Sequence, residues 1–354
     1  MSHSRALRHG STVAAVALAA IIVLTSCSGG TPDSVPVGLP ASLPPAEGHT
    51  QYPVTLESPW GSTILEHRPT RIAAVVPNAI DAELLLALGV TPVLASSMIS
   101  DSSAYLDAYG AADLKTYPFT VGGSLPVEAV AASEPDLIVT VGWNAGLGGA
   151  DLAGYYNQLS EIAPVLTNAE ASSSVMIPWQ ESIVDLGEAL DLPDAAAAVI
   201  DEHEARFETV REQNPQFAGR TATWAIWYGT GTGLHYFSQP ESAPESFLLE
   251  LGFAPNPLAR SFEAVRQVSD ELMSSIDADV LILGRSSASS DAEYQQLVES
   301  PLFNTLQSVS TGHFAQVPPL TPDGGDVLWA VTSGGPIGNA WAADHILPLV
   351  SAAV

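Results

Sequence analysis

The chain reads as an α/β protein built of two lobes, and three observations predict this. Two runs, Asp136-Leu137-Ile138-Val139-Thr140-Val141 and Asp279-Val280-Leu281-Ile282-Leu283, are almost continuously apolar and each follows a helical segment. Such runs fit parallel strands covered by helices on both faces. Between them, Asp194 to Gln213 carries one uninterrupted helical pattern rich in Ala and Glu. At 1.5 Å per residue it extends roughly 30 Å, long enough to span two domains. The chain has 354 residues, and the part from Thr50 onward has room for two domains.

The amino terminus sets the compartment. Arg5 and Arg8 precede an unbroken small-apolar run from Val13 to Leu24, which closes on Leu24-Thr25-Ser26-Cys27. This is the pattern of a secretory signal peptide over residues 1–26. The run is too short to cross a bilayer core, which takes roughly 20 residues. Cys27 is the one cysteine of the sequence, so no intramolecular disulfide can form in the exported chain. Residues 27–49 are rich in Ser, Gly and Pro and read as a flexible tether. Removing Arg5 and Arg8 from the eleven basic residues leaves nine against thirty-nine acidic ones. So acidic a chain lacks the basic footprint of a nucleic-acid binder and is not drawn to anionic headgroups.

The first lobe is expected over 50–192. Arg71 to Val76 reads as a strand, Ala79 to Leu88 as a helix ended by Gly89, and Thr91 to Ala95 as a returning strand, which makes one βαβ unit. Pro126 to Ala132 is the next helix, broken at Pro135 before the Asp136–Val141 strand. Leu192-Pro193-Asp194 interrupts the helical segment that begins at Trp179 and opens the long helix, placed at 193–214. The second lobe, over 215–354, repeats the pattern. Thr221 to Tyr228 is a strand, Ser246 to Leu251 a helix stopped by Gly252, Ser269 to Ser275 a helix, and Asp279 to Leu283 a buried strand.

Taken in order, a series of short motifs resembles the single-helix-hinge class of solute-binding proteins, which serve importers of ferric siderophores, haem and cobalamin. The motifs are Pro69-Thr70-Arg71-Ile72, Asp81-Ala82-Glu83-Leu84 through Val93, Pro126-Val127-Glu128-Ala129-Val130, Glu134-Pro135-Asp136-Leu137-Ile138 and Ile162-Ala163-Pro164-Val165 in the first lobe. Pro244-Glu245-Ser246-Phe247, Leu251-Gly252-Phe253, Val268-Ser269-Asp270-Glu271-Leu272 and Asp277-Ala278-Asp279-Val280-Leu281 follow in the second. The resemblance implies two Rossmann-like α/β lobes joined by one long rigid helix, with a shallow cleft between them and little closure on binding. It also implies a monomeric, non-catalytic receptor for an ABC importer, without a cofactor, held at the cell membrane by a lipid on Cys27, because Leu24-Thr25-Ser26-Cys27 resembles a lipobox. Two acyl chains at about 0.8 kcal/mol per methylene would anchor it stably.

A ferric siderophore is the expected cargo, with haem or cobalamin as the alternative, and strand-end loops are where it should sit. Anionic, ring-rimmed complexes call for a few cations and flat aromatic faces. Arg285, directly after a strand, is the leading cation and Arg260 a lesser one, with Arg266 beside it. Trp143, Trp227, Tyr228, Tyr236 and Trp329 supply the aromatic faces, and Met98 an adaptable apolar contact. His235-Tyr236, in the loop expected to continue from Tyr228, raises haem, but adjacent residues seldom reach one metal, and the other histidines are scattered. The resemblance assigns Glu128 and Glu245 to docking on the permease subunits, with Glu241 and Glu250 as competitors for the second position. Enzymatic readings are weak. Gly229-Thr230-Gly231-Thr232-Gly233 lacks the third glycine of a dinucleotide loop, and Ser333, the candidate nucleophile of an anchored hydrolase, has no nucleophile elbow.

Overall fold

A computed structural model describes residues 42–101, 103–119, 124–142, 152–168 and 177–354. The signal-peptide and lipobox readings, Cys27 and Trp143 lie outside these residues. The first lobe opens with the antiparallel hairpin β1 (Val54–Ser58) and β2 (Gly61–Leu65). It continues through β3 (Ile72–Ala74), α1 (Ile80–Ala87), β4 (Ala95–Ser96), α2 (Met98–Asp101) and β5 (Thr116–Tyr117). Next come α3 (Val127–Ala132), β6 (Leu137–Val139), α4 (Leu152–Ser160), β7 (Val165–Leu166) and α5 (Trp179–Leu190). Strands β3, β6 and β7 pair in parallel, as do β4 and β5. A parallel bridge from Ala73 to Leu94 links the two pieces. The strand expected at Thr91–Ala95 therefore pairs for only part of its length, because Pro92 withholds a ladder donor.

Helix α6 (Pro193–Gln213) follows, with Pro193 in its first turn, where a missing N–H costs nothing. Its inward residues Ala196, His203, Phe207 and Val210 form one narrow stripe. On one side His203 meets the Trp179 ring of α5 at 4.9 Å. On the other, Phe207 meets Phe247 of the second lobe edge-on at 6.2 Å.

The second lobe comprises β8 (Ala222–Trp227), β9 (Leu234–Tyr236), α7 (Ala243–Glu250), β10 (Gln267–Val268), β11 (Val280–Arg285), α8 (Asp291–Val298), α9 (Gln307–Ser310), β12 (Phe314–Val317), α10 (Val327–Ser333) and α11 (Pro336–Ser351). The sheet order is β10-β9-β8-β11-β12, with β8, β11 and β12 parallel and β9 antiparallel to its neighbours. Two expectations change here. Ser269–Ser275 is a 3₁₀ segment, Asp270–Ile276, rather than an α-helix. His235-Tyr236 lies on a strand instead of a loop, because Gly229 and Gly233, both at positive φ, fold the glycine run into a tight β8–β9 turn.

The tether also ends earlier than 49. The Ser42 carbonyl accepts from Thr91 N–H, the Pro44 carbonyl accepts from Arg68 Nη2 at 2.8 Å, and Leu43 packs on the core. Glu47 accepts from the N–H groups of Asp194 and Ala195, capping α6. Asp191, left-handed at φ 54, accepts from the N–H groups of Gly48, His49 and Thr50, which holds its carboxyl below the usual range. Proline-rich composition here gives a strap docked on the α5–α6 corner.

Candidate ligand-binding cleft

At the carboxyl edge of the second sheet, β8 and β11 end in register, Trp227 opposite Arg285, and Ser286 N–H donates to the Trp227 carbonyl at 2.9 Å. Trp227 is half-buried, and Tyr228 beyond it is exposed. The Tyr228 ring meets His235 edge-on at 5.1 Å. Burial raises the Tyr228 hydroxyl pKa, the Arg266 charge lowers it and the Asp326 charge raises it; the Arg266 carbonyl accepts from Tyr236 N–H of neighbouring β9 at 2.8 Å. The structure thus gathers Trp227, Tyr228, His235 and Arg266 at one edge.

Arg285 reaches that edge, but its guanidinium is engaged. It forms an ion pair with Asp291, lies over the Tyr294 ring 5.6 Å from the centroid, and donates to the Ser289 carbonyl at 3.4 Å. Its side chain is only 17% exposed. The expectation of an open guanidinium at the mouth is corrected: Arg285 locks the β11–α8 corner. Tyr236 is likewise a core residue. It is fully buried, stacked on Phe262 at 4.4 Å, with Asn256 Nδ2 donating to its hydroxyl at 3.3 Å. Alternation along β9 turns Tyr236 inward and His235 outward.

The other candidates are dispersed. Trp329 is half-buried on α10 rather than at a strand end, and Met98 opens α2 just after β4, half-buried against the core. Arg260 is exposed on the segment between α7 and β10. Glu128 is exposed in the first turn of α3. Glu245 is half-buried and accepts from Glu241 N–H at 2.6 Å, so it also secures the start of α7. Of its competitors, Glu241 is exposed and Glu250 faces His203 and Asn339. Ser333 is buried on α10 beside the Tyr105 hydroxyl.

A set of buried acids escaped the sequence reading. Glu83 on α1 is fully buried, and its carboxylate accepts from Gly338 N–H at 2.8 Å and from Ile337 N–H at the start of α11. A Cβ on Gly335 would come within 2.2 Å of Glu83 Oε1, so only glycine allows this approach between lobes. Asp81, also buried, accepts from Gly142 and Val76 N–H groups. Burial raises both carboxyls to about 7. Asp326 caps α10 through Leu328 and Trp329 N–H, and burial raises it to about 6. Its charge raises the hydroxyl pKa of Tyr105 in the first lobe and of Tyr228 in the second. Tyr105 in turn stacks on Trp341 of α11 at 5.2 Å. The available signal was two acids inside the otherwise apolar Ile80–Leu86.

Among the described residues, one group brings three possible metal ligands within 4.8 Å: Glu47, His49 and Asp194. Two of its carboxylates already serve the α6 corner, Glu47 as cap and Asp194 as partner of His49 at 3.3 Å. Among the described residues, no helix is long and apolar enough to cross a membrane.

A family model described as "Periplasmic binding protein" matches residues 75–320, from just after β3 to the loop after β12. The chain belongs to this family. As a periplasmic binding protein it is an extracytoplasmic solute-binding protein of two α/β lobes and not an enzyme, which disposes of the hydrolase reading. No curated protein matches the chain. Solved structures do. A periplasmic solute binding protein from Mycobacterium smegmatis is 22% identical, with a TM-score of 0.66 over 84% of this chain and 97% of that one. PiaA from Streptococcus pneumoniae in complex with ferrichrome is 21% identical, with a TM-score of 0.64 over 85% and 98%. SirA from Staphylococcus aureus complexed with staphyloferrin B is 16% identical, with a TM-score of 0.64 over 84% and 98%. At these identities the likeness is one of fold.

Proposed function

We propose that this periplasmic binding protein captures a ferric siderophore between its lobes and delivers it to the permease of an ABC importer. In this reading the chain is exported by residues 1–26 and held at the membrane by a lipid on Cys27. The observation that carries the cargo assignment is the edge formed by Trp227, Tyr228, His235 and Arg266 beyond the parallel strands. Open α/β sheets bind ligands at that edge, and flat rings with a cation suit a rigid, ring-bearing metal complex. PiaA in complex with ferrichrome and SirA complexed with staphyloferrin B share this fold, which supports the reading. Arg285 positions the edge, and Trp143, Trp329 and Met98 are further wall candidates.

The test is a fluorescence titration of the purified protein with ferric siderophores, haem and cobalamin. Saturable quenching of Trp227 emission by a ferric siderophore is expected, weakened at least about tenfold in Tyr228→Ala, the loss of one stacking contact of about 1.4 kcal/mol. Binding of haem or cobalamin alone would replace the siderophore assignment.

A further inference from the structure

All nine basic residues of the folded part lie among the described residues, so the positive charge available to a ligand can be placed completely. Six are remote from the carboxyl edges of the parallel strands or fully employed. Arg68 donates to the Leu190 and Pro44 carbonyls. Arg71 donates to the Glu134 and Ser133 carbonyls just before β3. Lys115 and Arg220 lie just before β5 and β8, at the amino edges. Arg206 pairs with Asp344, and Arg211 donates to the Glu250 carbonyl. Of the three residues on the other side, Arg285 is neutralised by Asp291. Arg260 and Arg266 are exposed, Arg266 just before β10 beside His235 and Arg260 on the segment between α7 and β10.

Ferric siderophores differ sharply in charge. Three singly charged hydroxamates cancel the charge of the ferric ion, whereas three doubly charged catecholates leave a trianion, and carboxylate-type complexes are also anionic. A multiply charged anion leaves water for a partly dry groove only when several cations meet it. At most two exposed guanidiniums, those of Arg260 and Arg266, are left for such a ligand, in a chain with a net charge of -28. We infer that the cleft selects a ferric complex of near-zero net charge, a tris-hydroxamate, and rejects tris-catecholate and polycarboxylate complexes. This rests on the siderophore reading above. Aromatic rings then supply most of the contact, and the acidic groove contributes to selection by repelling anions.

The experiment titrates the mature protein with ferrichrome, ferric enterobactin, ferric citrate and haem at low and high salt. Ferrichrome is expected to bind at least about thirtyfold more tightly than ferric enterobactin, roughly 2 kcal/mol, with little salt dependence, as befits an uncharged ligand. Asp291→Asn, which frees Arg285, should strengthen ferric enterobactin binding several-fold relative to ferrichrome. Ferric enterobactin or ferric citrate binding as tightly as ferrichrome would overturn the charge selection while keeping the siderophore function. Haem binding with no ferric siderophore bound would overturn both.

Discussion

A single carboxylate, Glu83, joins the lobes by capping a helix across their boundary, and that placement makes a prediction. Burial raises Glu83 and Asp81 to about 7 in the folded protein, against ordinary carboxyl values near 4 in the unfolded chain. Between those values the folded state holds protons that the unfolded state has released. Stability is therefore full in acid, declines as pH rises towards about 7, and levels off above it. Glu83→Gln keeps an oxygen for Gly338 N–H and removes the charge, so its melting temperature should fall less than the wild type's between pH 5 and pH 8. The gap at pH 8 should be roughly 3 °C or more, which for a protein of this size is of order 1 kcal/mol. An equal fall in both proteins, followed by calorimetry, would show that Glu83 is already ionised in the folded state at low pH.

At the scale of elements, α6 was readable because of its length and composition, with Pro193 at the start and eight exposed or half-exposed Ala and Glu positions needing no partner beyond solvent to favour a helix. The apolar runs of β6 and β11 were readable for a similar reason: strands covered on both faces leave a continuous signature. The β9 strand was hidden by its length of three residues and by a glycine run that resembles a loop in sequence and folds as a hairpin turn. Site residues were the hardest to read. Register places Trp227 and Arg285 side by side, but Asp291, six residues on, decides that Arg285 is occupied, and nothing in local spacing reveals that pairing. Helix α6 depends on few buried side chains, so each one matters. Phe207→Ala, removing a ring 1% exposed between His203 and Phe247, should cost about 3–5 kcal/mol in chemical denaturation. A cost below about 1 kcal/mol would mean that the stripe does not hold α6 to the second lobe.

For the whole molecule, capture has to be coupled to delivery, and the surface acids bear on that coupling. Glu128 is exposed at the start of α3, so Glu128→Arg alters charge with no buried contact to break. Glu245 both presents charge and holds Glu241 N–H, so charge reversal there would confuse docking with loss of helix capping. Glu245→Gln separates the two, since the amide oxygen still accepts that hydrogen bond. In cells, Glu128→Arg combined with Glu245→Gln should leave ferric-siderophore binding and membrane attachment intact while uptake of the labelled iron complex falls at least about tenfold, because charges of this kind govern encounter and orientation. Cys27→Ser should act in the opposite way, preserving binding by the purified protein but shifting it from the membrane fraction to the medium. Unimpaired uptake in the double variant would place the permease contact elsewhere, with Glu241 the next exposed acid to reverse, and retention of the Cys27→Ser protein on membranes would show that something other than an acyl chain holds it there.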